Sequence, residues 1–322
     1  MEYRKIPYVD KEVSRMICGT AIGPFLDGKD MDGLLDYVVA QGINAFDLAR
    51  VYKRAEESFG RWLEKRGKRD DLVLLSKCAH PSEDGEKRVN EKEIRKDFEI
   101  SSRYLHTDYI DIYLLHRDDP EVEVGEIVEV LNVMHAEGKI GAFGGSNWTY
   151  QRIAEANEYA YKHNLIPFSV SSPYYGLADQ VRDPWGGGCV SISGPNKKEA
   201  REWYRTNQMP IIAYASLGHG LLTGRIKSHR PEEAVKFLDE AAMKGYACPE
   251  NFERLRRCEI LATEKGCTVP QLAMAWLLKQ DLDAFAVVGS SSIARMQENL
   301  AAMKIDLSDN ESRYLDLQLD NL

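Results

Sequence analysis

Cysteine is sparse and unpatterned: six in 322 residues, none in a CxxC pair or at metal-ligand spacing. That excludes a disulfide framework and a zinc site, and Cys18, Cys78, Cys189, Cys248, Cys258 and Cys267 read as free thiols of a reducing compartment. No metal site is expected. Long apolar runs are missing too; none approaches the ~18–20 residues of a membrane span, and charges interrupt Met1 to Thr20 where a signal peptide carries its apolar stretch. A cytoplasmic protein without a membrane partner is the expectation. Basic residues are in deficit, 42 Lys+Arg against 51 Asp+Glu, for a formal charge of −9. A nucleic-acid binder needs a basic face to displace counterions, so that class is excluded, and any anionic ligand must find local cations. Phosphate-cradling glycine motifs are absent as well. Gly186-Gly187-Gly188 and Gly218-His219-Gly220 lack both the GxGxxG spacing and the GxxxxGK[ST] of a P-loop.

What the chain does have is a rhythm. Short apolar runs alternate with amphipathic stretches, and the runs that read as strands are Met16–Thr20, Ile43–Phe46, Leu72–Ser76, Tyr109–Leu115, Ile140–Gly144, Phe168–Ser171, Ile211–Ala215 and Phe285–Val288. Helix-like stretches begin near Lys29, Arg54, Glu91, Glu126, Thr149, Lys198, Asn251, Val269 and Ile293. Asn90 with Glu93, and Ser308 with Glu311, are capping-box patterns. Strands alternating with helices predict parallel βα units, and the length suits an α/β protein built as a (β/α)8 TIM barrel, which takes about 250 residues as one domain. A doubly wound open sheet is the competing arrangement. The expectation is a single barrel domain over residues 1–322, with a long loop at about 178–197 and a C-terminal helix at about 308–320.

In such a barrel the chemistry sits at the C-terminal ends of the strands. Those ends carry Asp47 after the second strand with Tyr52 in the same loop, Lys77 after the third, His116 after the fourth, and Ser146-Asn147 after the fifth. Taken singly, Asp47 could be a helix cap, Lys77 a solvated side chain, His116 a satisfied strand-end histidine and Tyr52 a packing aromatic. Together they suit a proton donor. Tyrosine ionises near pH 10 and becomes a usable acid only beside a cation that stabilises its phenolate. Lys77 supplies that cation, Asp47 would hold it charged, and His116 could orient a carbonyl or act as a second donor, so the group would stabilise charge developing on an oxygen.

These residues carry a resemblance to the aldo-keto reductase superfamily. The texts are Phe46-Asp47-Leu48-Ala49-Arg50-Val51-Tyr52, Leu75-Ser76-Lys77, Asp108 through His116, Glu137 through Asn147, Ala213-Tyr214-Ala215-Ser216-Leu217-Gly218, Val288-Gly289-Ser290-Ser291, and Arg295 with Glu298-Asn299. They run through nearly the whole chain in the family's order. The resemblance implies a monomeric or loosely associated barrel that binds NADP(H), with NAD(H) possible, and acts on a small-molecule carbonyl or alcohol: an aldehyde, a ketone or a sugar-derived carbonyl. It implies Tyr52 as general acid, tuned by Lys77 and Asp47 and assisted by His116. Ser146 and Asn147 match residues that hold the nicotinamide carboxamide, and Ser171 stands where a glutamine commonly joins them. Tyr214 matches the aromatic that stacks on the ring, Leu217 and Gly218 lie along the pyrophosphate, and Ser290, Arg295, Glu298 and Asn299 fall at the adenosine end. Gly289 replaces a lysine of many members, which leaves Arg295 to meet a 2′-phosphate. Trp185, Trp148, Phe25 and Tyr175 are aromatic candidates for the pocket wall. Some relatives keep barrel and cofactor as redox-sensing regulatory subunits with little turnover, and an aldolase-like Schiff base on Lys77 is a further alternative.

Overall fold

The computed structural model describes residues 1–322. An antiparallel hairpin of β1 (Tyr3–Arg4) and β2 (Val13–Ser14) precedes eight strands: β3 (Met16–Gly19), β4 (Ala45–Asp47), β5 (Val73–Cys78), β6 (Ile110–Leu115), β7 (Ile140–Ser146), β8 (Val170–Ser172), β9 (Ile211–Ala213) and β10 (Ala284–Gly289). Consecutive strands pair in parallel, and β10 closes on β3 from Ala286↔Met16 to Gly289↔Gly19. The sheet is therefore a closed (β/α)8 barrel and not an open doubly wound sheet.

Strand side chains alternate between two faces, and the parity of each strand decides what its end can do. Ile17, Ala45, Val73, Leu75, Ile112, Leu114, Ala142, Val170, Ile212 and Phe285 fill the barrel interior. Their neighbours, among them Cys18, Phe46, Leu74, Tyr113 and Phe143, face the helices in a second, larger core. Phe46 shows how that outer layer packs: its ring lies 4.9 Å from Phe59 and 5.8 Å from Trp62 of the helix Ala55–Arg66. Ile6, Val9 and Val13 join the interior cluster, so the N-terminal hairpin stoppers the barrel at the end where the strands begin. Two-residue strands are too short to show a period, and the hairpin was not among the expected elements.

Local signals at helix ends fared unevenly. Ser308 and Glu311 complete a reciprocal capping box, as do Thr268 and Gln271. Asn90 does accept from the Glu93 N–H, but the Glu93 carboxylate turns to Arg88 at 2.6 Å, so only half of the expected box forms. The stretch expected from near Lys29 is the helix Asp32–Ala40, the short helix Gly23–Leu26 before it was not foreseen, and the C-terminal helix spans Asp309–Leu315. No helix is long and apolar enough to cross a membrane.

Candidate functional site

Inward parity delivers the polar groups to one opening. With Ala45 inside the barrel, Asp47 points the same way; Lys77 follows Val73 and Leu75, and His116 follows Ile112 and Leu114. The inward rows of β7, β9 and β10 run on to Ser146, Tyr214 and Gly289. All of them, with Tyr52 and Asn147, line a single cavity of about 520 Å³ whose wall is completed by groups including Ile22, Val51, His80, Arg117, Trp185 and His219.

Lys77 is the hub. Its Nζ donates to Asp47 Oδ1 at 2.5 Å, to the Leu48 carbonyl at 2.9 Å and to the Tyr52 hydroxyl at 3.1 Å. Burial works against its charge, yet the Asp47 carboxylate and the Tyr52 oxygen outweigh that penalty and raise the ammonium's pKa above the ordinary lysine value. Burial also raises the Tyr52 phenol, with Lys77 pulling against it, so the hydroxyl is protonated at neutral pH. The His116 ring stands edge-on to Tyr52, centroids 5.7 Å apart. Burial, then the charges of Lys77 and Arg117, push His116 well below the usual histidine range, and the ring is neutral. Its Nδ1 is buried with no hydrogen-bond partner.

The other matched residues separate into two groups. Ser146 Oγ accepts from Asn147 Nδ2 at 3.1 Å, and Asn147 Oδ1 accepts from the Tyr214 hydroxyl at 2.7 Å and from the Val190 N–H at 3.1 Å. Gly289 lines the cavity against Ile22, where a Cβ would stand only 2.8 Å from Ile22 Cγ2. Leu217, Gly218, Ser290, Arg295, Glu298 and Asn299 lie outside that lining. Leu217 leads into the 3-10 turn Gly218–Gly220, and Ser290 Oγ ties the loop before the helix Ile293–Ala301 through the Ser292 carbonyl at 2.7 Å. Arg295 is exposed, with Nη1 3.3 Å from Ser291 Oγ. Glu298, next to Asn299 on that helix, accepts from Thr268 Oγ1 at 3.0 Å and borders a second hollow of about 600 Å³ with Thr223 and Arg225.

Ser171 is a correction. Val170 points inward, so Ser171 points out, fully buried against the helix layer with its hydroxyl 2.8 Å from that of Tyr204. It has no access to the cavity. The aromatic candidates divide similarly: Trp185 is on the wall, whereas Phe25, Trp148 and Tyr175 are buried in the packing core. Trp185 is held there by Asp183, whose carboxylate accepts the N–H groups of Trp185 (3.1 Å), Gly186 (2.9 Å), Gly188 (3.0 Å) and Cys189 (2.9 Å). Gly186, Gly187 and Gly188 all adopt positive φ, which the missing Cβ allows. The wrapped loop sets the Trp185 ring 6.2 Å from Tyr214 and 5.2 Å from His219. His80, Arg117 and His219 were not among the sequence candidates; Arg117 was visible only as the residue after a strand-end histidine.

A closed barrel with such a cluster at the strand ends defines an oxidoreductase of the aldo/keto reductase family: that family's model matches residues 16–319, and the chain belongs to it. Curated relatives include Protein tas of Escherichia coli (strain K12), 26% identical over 343 aligned positions that cover 96% of this chain and 95% of that protein. The Protein tas of Shigella flexneri matches to the same extent. The family typically works with nicotinamide cofactors.

Proposed function

We propose that this protein is an NAD(P)H-dependent carbonyl reductase that reduces an aldehyde, a ketone or a sugar-derived carbonyl, with NADPH modestly preferred. The observation that carries this reading is the Lys77 ammonium shared between Asp47 at 2.5 Å and the Tyr52 hydroxyl at 3.1 Å, inside a cavity. The lining suits a nicotinamide dinucleotide, because Tyr214 offers an aromatic face beside the amide of Asn147 and the hydroxyl of Ser146, and Gly289 on the neighbouring strand adds no side chain to the wall. Ser146, Asn147 and Tyr214 would hold the nicotinamide, Leu217 and Gly218 the pyrophosphate, and Ser290, Arg295, Glu298 and Asn299 the adenosine end. The cofactor, when bound, supplies the hydride.

The chain's own part is the proton. Tyr52 gives its phenolic hydrogen to the oxygen of the reacting carbonyl, and Lys77 stabilises the phenolate that remains. Asp47 keeps Lys77 charged in a place where burial alone would neutralise it. Neutral His116, whose ring lines the same cavity, orients the carbonyl oxygen. A Schiff base needs an unprotonated amine, so the paired ammonium disfavours the aldolase alternative. The test is NADPH oxidation followed spectrophotometrically with a panel of aldehydes and ketones, for the unmodified protein and for Tyr52→Phe. Turnover that drops by roughly 10²–10⁴ in the variant is expected; no oxidation with any carbonyl, or full activity in Tyr52→Phe, refutes the reading.

A further inference from the structure

Two cations line the cavity, Lys77 and Arg117, and the proton-donor chemistry uses only the first. Arg117 is 7% exposed. Its hydrogen bonds go to neutral acceptors, from Nη1 to the His116 carbonyl at 2.9 Å and from Nη2 to Cys189 Sγ at 3.6 Å. The acidic residues that follow it are engaged elsewhere: Asp118 pairs with Arg152 at 3.3 Å and Asp119 with Lys87 at 2.6 Å. Asp47, the one carboxylate in the cavity wall, is taken by Lys77. A guanidinium this buried loses its hydration, and Arg117 forms no ion pair with a carboxylate of the chain.

We propose that Arg117 anchors a carboxylate of the substrate, and that the protein therefore reduces oxo acids, carbonyl compounds that carry a carboxylate a few bonds from the C=O. The inference rests on the carbonyl-reductase reading and narrows its substrate class. A planar guanidinium matches a carboxylate through two parallel hydrogen bonds. Two cations against one carboxylate also leave the cavity positive within a chain of formal charge −9, so the site is where an anionic substrate escapes the general repulsion. Arg117 directly follows His116, which places the anion site beside the group that orients the carbonyl. The chemistry is unchanged: hydride passes from the cofactor to the carbonyl carbon, the proton passes from Tyr52 to the oxygen, and the carboxylate forms and breaks no covalent bond.

The test compares ω-oxo acids of two to five carbons with their methyl esters, using the unmodified protein, Arg117→Met and Arg117→Lys. We expect the best acid to exceed its ester in kcat/KM by roughly 10- to 100-fold, the range of a charge-assisted hydrogen-bond pair, with most of the difference in KM. Arg117→Met should bring that ratio close to one, and Arg117→Lys should keep part of it. Ester turnover by each variant reports that it has folded; should Arg117→Met fail to fold, the ratio in the unmodified protein and in Arg117→Lys decides. Equal use of acid and ester by the unmodified protein, an acid preference that survives Arg117→Met, or a stronger preference for aldehydes carrying a phosphate, would overturn the assignment. Esters reduced well without any acid advantage sink only this inference, whereas no NADPH oxidation with acid, ester or neutral aldehyde sinks the reductase reading and this inference with it.

Discussion

Tyr214 donates its hydroxyl hydrogen to Asn147 Oδ1 across 2.7 Å, joining the ends of β9 and β7 over the intervening β8. Asn147 holds a left-handed backbone, φ 59°, and its side chain is fixed at both ends, by Tyr214 and Val190 on the oxygen and by Ser146 on the nitrogen. Tyr214→Phe keeps the aromatic face but frees Asn147. The expected outcome is NADP⁺ binding weakened by about 1 kcal/mol, roughly fivefold, the worth of one neutral hydrogen bond. Calorimetric titration checks it, and unchanged affinity would mean that the bond does not preorganise a cofactor site.

Lys77→Met removes the cation beside Tyr52 and strands the Asp47 carboxylate, 4% exposed, in the barrel. Breaking a buried pair on one side costs about 3–5 kcal/mol of stability, and turnover should fall at least as far as in Tyr52→Phe. The double variant Asp47→Asn/Lys77→Met separates the two effects. Denaturant unfolding should show stability largely recovered in it while activity stays lost; recovery of both would deny Lys77 any role beyond pairing.

Stability should depend on pH through His116. Its folded pKa is depressed far below 6.5 by burial, so below 6.5 the unfolded chain binds a proton that the folded chain refuses. The contribution is complete above pH 6.5 and is lost as pH falls from there toward the folded value. His80, depressed by burial as well, acts in the same sense. Melting temperatures between pH 7.5 and 5 should decline, and more gently in His116→Gln; a slope untouched by that change would contradict a buried neutral imidazole.

Asp183→Ala should undo the loop that carries Trp185. Four N–H groups lose one acceptor, and three glycines at positive φ have little else to hold them. Amide exchange over residues 183–190 should accelerate, and KM for bulky carbonyls should change more than for small ones. Protection equal to that of the unmodified protein would place the loop's order in other contacts.

Arg295→Ala tests the cofactor preference. The side chain is exposed and only lightly held by Ser291 Oγ at 3.3 Å, so it is free to turn toward a 2′-phosphate. Solvent screening puts its effect at the low end for a charged hydrogen bond, about 1.5 kcal/mol of NADPH affinity, with NADH little changed. Equal losses for both cofactors, or no preference in the unmodified protein, would show that Arg295 does not read the phosphate.

The barrel and its polar rim were legible in the chain because the strands are short apolar runs, and four of them carry a polar residue at or next to their C-terminal end: Asp47, Lys77, His116 and Ser146. Periodicity and strand ends are local properties, carried within about six residues. Orientation is not local. Ser171 sits at a strand end like the others, but the frame of β8 turns it outward to Tyr204, and only pairing with β7 through Gly145↔Ser171 sets that frame. Arg117 reads as one member of a charged triplet until Arg152 and Lys87, from distant parts of the chain, claim Asp118 and Asp119 and leave its guanidinium alone at the cavity. Trp185 likewise becomes a wall of the site through the turn that Asp183 winds beneath it. A strand's apolar pattern is written in neighbouring residues, whereas the partner of a charge is chosen by whichever segments the closed barrel brings within a few ångströms.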